Sequence, residues 1–369
     1  MASKSATGKE LGRTPEKRRG ILKAITAKIV SGEWPLGQKI PNRLSIEKTF
    51  NASSVTVQRA MEILATDGFL EPRGRSGTFV SENPPFLHNY GIVYYGQPKK
   101  NWSAFLESID IEAAKLKLDS RTRLKYYYEL NGDPRMKDYG RLISDIRAHR
   151  LAGIFFTTNP YQVADTPITD EGDLPRVVIS NSRPNNKFAN ILLDGHSVVE
   201  MGVSYLADKG CRKIGVFAST QQADEFIPIF RKLVSSKGCE CRDEWIQTAH
   251  TSSPSSAVNV VRLMMKLDRK NIPDGIYVAD DNLTASVIEG LEESGVRIPQ
   301  DLVVASHSNF PATFKHPASV KLFGFNIRRV LKEAIKLMEM RKHGKKLPAT
   351  TFIKACSDEE FEKEYASNS

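Results

Sequence analysis

Residues 40–80 read IPNRLSIEKTFNASSVTVQRAMEILATDGFLEPRGRSGTFV, and how this run is parsed decides the fold around it. Leu44, Ile46 and Phe50 predict a short helix entered at Pro41. Asn51-Ala52 breaks it, and Ser53 is suited to cap a second helix by accepting a backbone N–H. In that helix Val57, Met61 and Leu64 recur at i, i+4 and i+7, so one face packs inward. Ser54, Thr56, Gln58 and Arg59 are expected on the outward side. Asp67-Gly68 ends the helix, and FLEPR and TFV predict two strands around Gly74-Arg75-Ser76-Gly77. Helix, turn, helix and hairpin is the plan of a winged helix-turn-helix, which lays its second helix in the DNA major groove.

Upstream, Ile21, Ile25 and Ile29 share one helical stripe between Glu16 and Val30, predicting the helix that closes this small core. Residues 1–14 are polar and are expected to form a flexible tail, with the winged helix-turn-helix domain over 15–81. The polar, proline-containing segment 82–88 is expected to be an exposed linker. The 369 residues carry 53 Lys/Arg against 43 Asp/Glu, a net charge of +10. Residues 1–85 hold 14 of those bases and 8 of the acids, so most of the excess sits where phosphates would be met.

Past the linker, strand and helix patterns alternate. LAGIFFT at 151–157 is a strictly apolar strand, as a buried parallel sheet requires. Two successive runs of this alternation predict an α/β domain over 89–357, with two lobes built on parallel doubly wound sheets. Lobe 1 is expected at about 89–194 and 310–345, lobe 2 at about 195–309 and 346–357. A small ligand in such a fold sits between the lobes, at the carboxyl ends of the strands.

The head resembles the DNA-binding head of the GntR family of bacterial regulators. Ser31-Gly32, Gly37, Ile40-Pro41, Ser53, Thr56-Val57, Ala60, Leu64, Asp67-Gly68 and Gly77-Thr78-Phe79-Val80 carry the resemblance over fifty ungapped residues. Where the family usually has two arginines in the recognition helix, this chain has Ser54 and Gln58, so the operator it reads is expected to differ from the commonest one. Ser53, Ser54, Thr56, Gln58 and Arg59 form the expected helix contacts, with Ser54, Thr56 and Gln58 at base edges. Arg43, Arg73 and Arg75 are expected on phosphates.

The larger part is similar to the effector domain of the LacI/GalR family, relatives of periplasmic binding proteins. The resemblance rests on LLDG at 192–195, LADKGCRKIGVFA at 206–218 and PDGIYVADDNLTASVIEGLEESGVRIPQDLVVASHSN at 273–309. It implies a ligand site at Trp102, Phe105, Thr158, Asn181, Asp194, Phe226, Asp281, Asn282 and Asn309. Asp281 matches a family acid that accepts hydrogen bonds from ligand; it could equally cap the helix that follows. Phe226 and Ser308 stand where the family often has an arginine and an aspartate, which implies a less charged pocket. Trp102, Phe105, Tyr161, Phe226 and Phe310 are candidate flat faces for a sugar ring.

An enzyme is not expected: no GxxxxGK[ST], HExxH, GxSxG or strand-borne GxGxxG occurs. Cys211, Cys239, Cys241 and Cys356 lack zinc-site spacing and are expected to be reduced packing residues. No apolar run approaches the ~18 residues of a membrane span, and no secretory signal is present, so a cytoplasmic location is expected. A purely structural DNA-bending protein would not need two lobes with a cleft. The resulting expectation is a homodimeric regulator without metal or cofactor, a repressor of a carbohydrate-utilisation operon. It would bind double-stranded operator DNA and respond to a neutral sugar. The alternative is a ligand-dependent activator, or a regulator sensing a non-sugar metabolite.

Overall fold

The N-terminal helices assemble around the stripes that their sequences define. A computed structural model describes residues 8–97, 100, 103–116, 120–180, 187–317 and 319–367. The head comprises α1 (Gly8–Val30), α2 (Arg43–Phe50), α3 (Ser54–Thr66), β1 (Leu70–Pro72) and β2 (Thr78–Val80). Asn42 Oδ1 caps α2 by accepting from Ser45 N at 2.9 Å, and Asn51 ends it with a left-handed φ of 44°. Ile21, Ile25, Ile29, Ile46, Val57 and Leu64 fuse into one buried core with Phe69 and Val80. Strands β1 and β2 pair antiparallel, Leu70 opposite Val80. The wing turns through Gly77 at φ 104°, where a Cβ would come within 2.7 Å of Lys39 Cε.

Three expectations about the head are corrected. Helix α1 already runs at Gly8, inside the segment expected to be a tail; extending an existing helix adds a backbone hydrogen bond per residue without a new nucleus. Leu44 is 64% exposed and lies outside the core. The expected linker contains a helical turn, α4 (Pro85–His88). Phe86 there stacks on Phe69 at 6.3 Å, because an aromatic side chain beside an apolar core is better buried than solvated.

The first lobe holds β3 (Asn89–Val93), α5 (Ala104–Lys115), β4 (Arg123–Tyr127), α6 (Lys137–Arg147), β5 (Gly153–Phe156), α7 (Pro167–Asp170), β6 (Arg176–Ser180) and β7 (Ala189–Leu193). The second begins with α8 (Gly195–Asp208), β8 (Ile214–Ser219), α9 (Ala223–Ser236), β9 (Ile246–Ala249), α10 (Ser256–Met264), β10 (Gly275–Val278), α11 (Asp281–Glu293) and β11 (Val303–Phe310). After these come β12 (Lys321–Asn326), α12 (Ile327–Lys342), β13 (Thr350–Ile353), β14 (Cys356–Ser357) and α13 (Asp358–Ser367). The sheet orders are β4-β3-β5-β6-β7-β13 and β9-β8-β10-β11-β12-β14. Within these two sheets the described ladders are parallel except β12 with β14. Central strands β5, β8 and β10 are buried at every position, as helices on both faces demand.

The lobe boundaries near the C-terminus differ from expectation. Strand β12 pairs with β11 in the second sheet, although 310–345 was expected in lobe 1. Helix α12 then packs on β5, β6 and β7 of the first lobe. Strand β13, expected in lobe 2, pairs with β7, and β14 returns to β12. An apolar run marks a buried strand, but its backbone groups can be satisfied by either sheet, and only the assembled ladders decide which.

Candidate DNA interface and ligand cleft

Helix α3 presents its side chains unevenly. Gln58 and Arg59 are exposed and Ser54 is half-buried. Ser53 serves as the N-cap, its hydroxyl accepting from Thr56 N. Thr56 is only 4% exposed, its hydroxyl 2.9 Å from Ser53 Oγ, so the expected base-reading role for Thr56 is corrected to part of the cap. Val55 takes the outward place at 59% exposure. It falls ~200° from Val57 at the helical pitch, the one signal that separates it from the core stripe. A surface Val on such a helix offers an apolar contact for a thymine methyl. The Gln58 amide is held on both sides: Oε1 accepts from Arg43 Nη1 at 3.4 Å, and Nε2 donates to Glu62 Oε1 at 3.0 Å.

On the wing Arg75 is exposed. Arg73 donates to Glu71 at 3.1 Å and lies 4.6 Å over the Phe79 ring. The Glu71 hydrogen bond raises its pKa. Arg43 pairs with Glu47 at 3.3 Å while its side chain stays half-exposed.

Asp67, the C-cap of α3, forms an ion pair with Arg150 at 2.7 Å, joining α3 to lobe 1. Arg150 also donates to Asp145 at 3.2 Å, and Asp145 accepts from Tyr127 OH at 2.5 Å. Burial works against the Arg150 cation, but hydrogen bonds and charges from Asp67 and Asp145 outweigh it and raise the pKa. Lys342 Nζ donates to Leu87 O at 2.8 Å, a second tie across the junction.

Between the lobes lies a cleft of about 830 Å³. Phe105, Phe226, Asp281, Asn282 and Asn309 line it as expected. Trp102 and Asn181 lie outside the described residues. Thr158, exposed at the end of β5, does not line it. Neither does Asp194, whose carboxylate is used to cap α8 at Ser197 N. Two expected aromatic faces fall elsewhere: Phe310 stacks on Phe361 at 5.0 Å, and Tyr161 is 66% exposed. Gln221, Tyr277, His307 and Phe325 line the cleft without having been singled out. Tyr277 sits in a strand that reads simply as core, which concealed it, and Phe325 sits in β12, which was not among the expected strands.

Geometry takes the capping role away from Asp281. Asp280 is the cap of α11, accepting from Asn282 N at 3.0 Å. The Asp281 carboxylate, 4% exposed, accepts instead from Asn309 N at 3.0 Å and Nδ2 at 2.8 Å. Burial pushes its pKa up, while His307 and the Asn309 bonds act in the opposite sense. Across the cleft Asn282 Oδ1 accepts from Ala104 N at 2.9 Å, joining lobe 2 to the N-terminus of α5. Ser108, further along α5, donates to Pro311 O at 3.0 Å. Glu112, also on α5 and fully buried, accepts from Arg328 Nε at 2.7 Å and from Tyr365 OH at 3.3 Å. One face of α5 is thus bonded to lobe 2 and to the crossing into α12. No Lys or Arg occurs among the described residues lining the cleft.

Comparisons with known proteins align with these two parts. Residues 17–80 match bacterial regulatory proteins of the gntR family. Residues 203–356 match a periplasmic binding protein-like domain. Catabolite control protein A of Staphylococcus epidermidis is 20% identical over 195 residues, 52% of this chain and 58% of the relative. The uncharacterized HTH-type transcriptional regulator YdfD of Bacillus subtilis is 42% identical over 67 residues, 18% of this chain and 14% of the relative. The chain therefore spans less than two thirds of the length of either relative. A LacI family transcriptional regulator from Arthrobacter sp. FB24, solved in complex with lactose, superposes with a TM-score of 0.57. It is 14% identical, covering 73% of this chain and 97% of that one, so the likeness is one of fold.

Proposed function

We propose, from a chain that joins a gntR-family head to a periplasmic binding protein-like domain, that it is a sequence-specific transcriptional regulator switched by a small ligand in the cleft. Its role is repression of a carbohydrate-utilisation operon, in the cytoplasm where the operator lies. The observation that carries this reading is the continuity between the two sites: the end of α3 is bonded through Asp67 to Arg150 of lobe 1. A movement of lobe 1 on ligand closure would therefore reach the recognition helix. As a homodimer the protein would set two heads on a palindromic operator, with half-sites about one helical turn apart.

A neutral sugar suits the cleft. Asp281, Asn282 and Asn309 offer acceptors and donors for hydroxyls, and Phe105 and Phe226 offer flat apolar faces. A sugar phosphate would bring a charge that no described Lys or Arg is placed to meet, and an unpaired buried charge is costly. The lactose bound by the fold relative from Arthrobacter is consistent in chemistry.

The test selects an operator from random duplex DNA with the full chain, then measures its affinity by fluorescence anisotropy with neutral sugars and with their phosphates. A neutral sugar is expected to shift operator affinity by about 5–150-fold, the range of a ~1–3 kcal/mol coupling. Failure to select any sequence, or a shift produced only by phosphorylated compounds, overturns the reading.

A further inference from the structure

Tyr277, on β10 in the middle of the second sheet, is fully buried, and its hydroxyl has no hydrogen-bond partner among the described residues. Buried polar groups are overwhelmingly paired, and an unmet one costs about 1–3 kcal/mol. The ring is held firmly. It stacks on Phe226 at 6.4 Å and on Phe230 at 6.3 Å. Beneath it α8 carries Gly202, where a Cβ would stand 2.4 Å from Tyr277 Cε2. A phenylalanine would fill the same space without the polar cost, so packing alone does not account for the hydroxyl.

Asn309 Oδ1 is also buried without a partner, and Asn309 and Tyr277 both line the cleft. The orientation of this amide follows from chemistry. Asp281 Oδ2 takes hydrogen bonds from both Asn309 N and Nδ2. The backbone N–H can only donate, so Oδ2 is an acceptor there; with the NH₂ group turned to the same oxygen, the amide oxygen is left over as an acceptor.

We propose that Tyr277 OH and Asn309 Oδ1 are a donor–acceptor pair that recognises one hydroxyl group of the ligand, the phenol donating to its oxygen and the amide oxygen accepting its proton. A hydroxyl is the simplest group that both accepts and donates through a single atom. The pair gives the site a means of rejecting an analogue that lacks that hydroxyl, because its own buried groups would stay unpaired. This assignment rests on the cleft being the effector site.

The experiment uses the full chain and its Tyr277→Phe variant. Thermal unfolding without ligand is combined with calorimetric titration of glucose, galactose, ribose, lactose and cellobiose, plus the monodeoxy forms of whichever sugar binds. The variant is expected to melt at or above the wild-type temperature and to bind the sugar about tenfold or more weakly. One monodeoxy sugar is expected to bind both proteins equally. Equal affinity of both proteins for the intact sugar overturns the pairing while leaving the effector site standing. So does a variant that melts several degrees lower, because the hydroxyl would then hold a structural bond. If none of the sugars binds the wild type, the effector reading itself falls, and the pair with it.

Discussion

Gln58 stands exposed on α3 with its amide aligned by Arg43 and Glu62, an arrangement suited to bidentate contact with adenine N6 and N7. Replacing it with alanine is expected to cost ~1–3 kcal/mol at one base position, measured by anisotropy on operators varied singly. Equal losses on operator and random DNA would refute base reading. In the cleft, burial raises the folded-state pKa of Asp281 above its value in the unfolded chain. The native state then holds that proton more tightly. Its stabilising effect is complete below the ordinary carboxylate pKa and is lost as pH rises through the raised value. Asp281→Asn keeps an acceptor for Asn309 and removes this loss. Without ligand, its melting temperature relative to wild type should therefore be higher at pH 7 than at pH 4. A difference independent of pH would contradict a perturbed Asp281. Of these two residues, Asp281 was visible as a candidate from its resemblance, whereas its role as partner to Asn309 depends on β11 lying beside α11.

At the scale of elements, the proposed DNA contacts divide between the wing and α3. Arg73 lies over Phe79 beside Glu71 and is preset at the wing rather than on the recognition helix. Arg73→Ala should weaken binding to all sequences alike and lower the slope of log affinity against log salt by about one. An unchanged slope would place Arg73 away from phosphate. The periodicity of α3 was legible because Val57, Met61 and Leu64 recur with the helical repeat. Thr56 was misplaced because its neighbour Val57 is buried and a polar residue was presumed to face out. Its hydroxyl instead joins Ser53 in the cap, which lets it be buried at little cost.

Across the whole molecule, the Asp67–Arg150 pair is a direct link between α3 and lobe 1. Arg150→Ala is expected to leave operator binding without ligand, and sugar binding without DNA, within a few-fold of wild type. The ligand-dependent shift in operator affinity should shrink towards unity, because a ligand acts at a distance only through contacts that differ between states. Measuring operator affinity with and without saturating sugar decides this. A full shift in Arg150→Ala would locate the coupling elsewhere, such as the Lys342–Leu87 contact.

The sequence by itself determined the kinds of element and most of their order. Stripes at the helical repeat, cap residues such as Ser53 and wholly apolar runs such as LAGIFFT are local signals, written within one turn or one strand of themselves. That was enough for the winged head, for two α/β lobes and for a cleft between them. Only the tertiary structure decided what depends on partners distant in the chain. Strands β12 and β13 changed lobes because a strand's backbone groups accept any ladder that buries them. Asp194 was taken up by a cap and Phe310 by the Phe361 ring, while Tyr277 proved to line the cleft from within a strand that reads as core. The burial of a side chain, and whether its polar atoms are met, is a property of the assembled neighbours rather than of the residue's own surroundings in sequence.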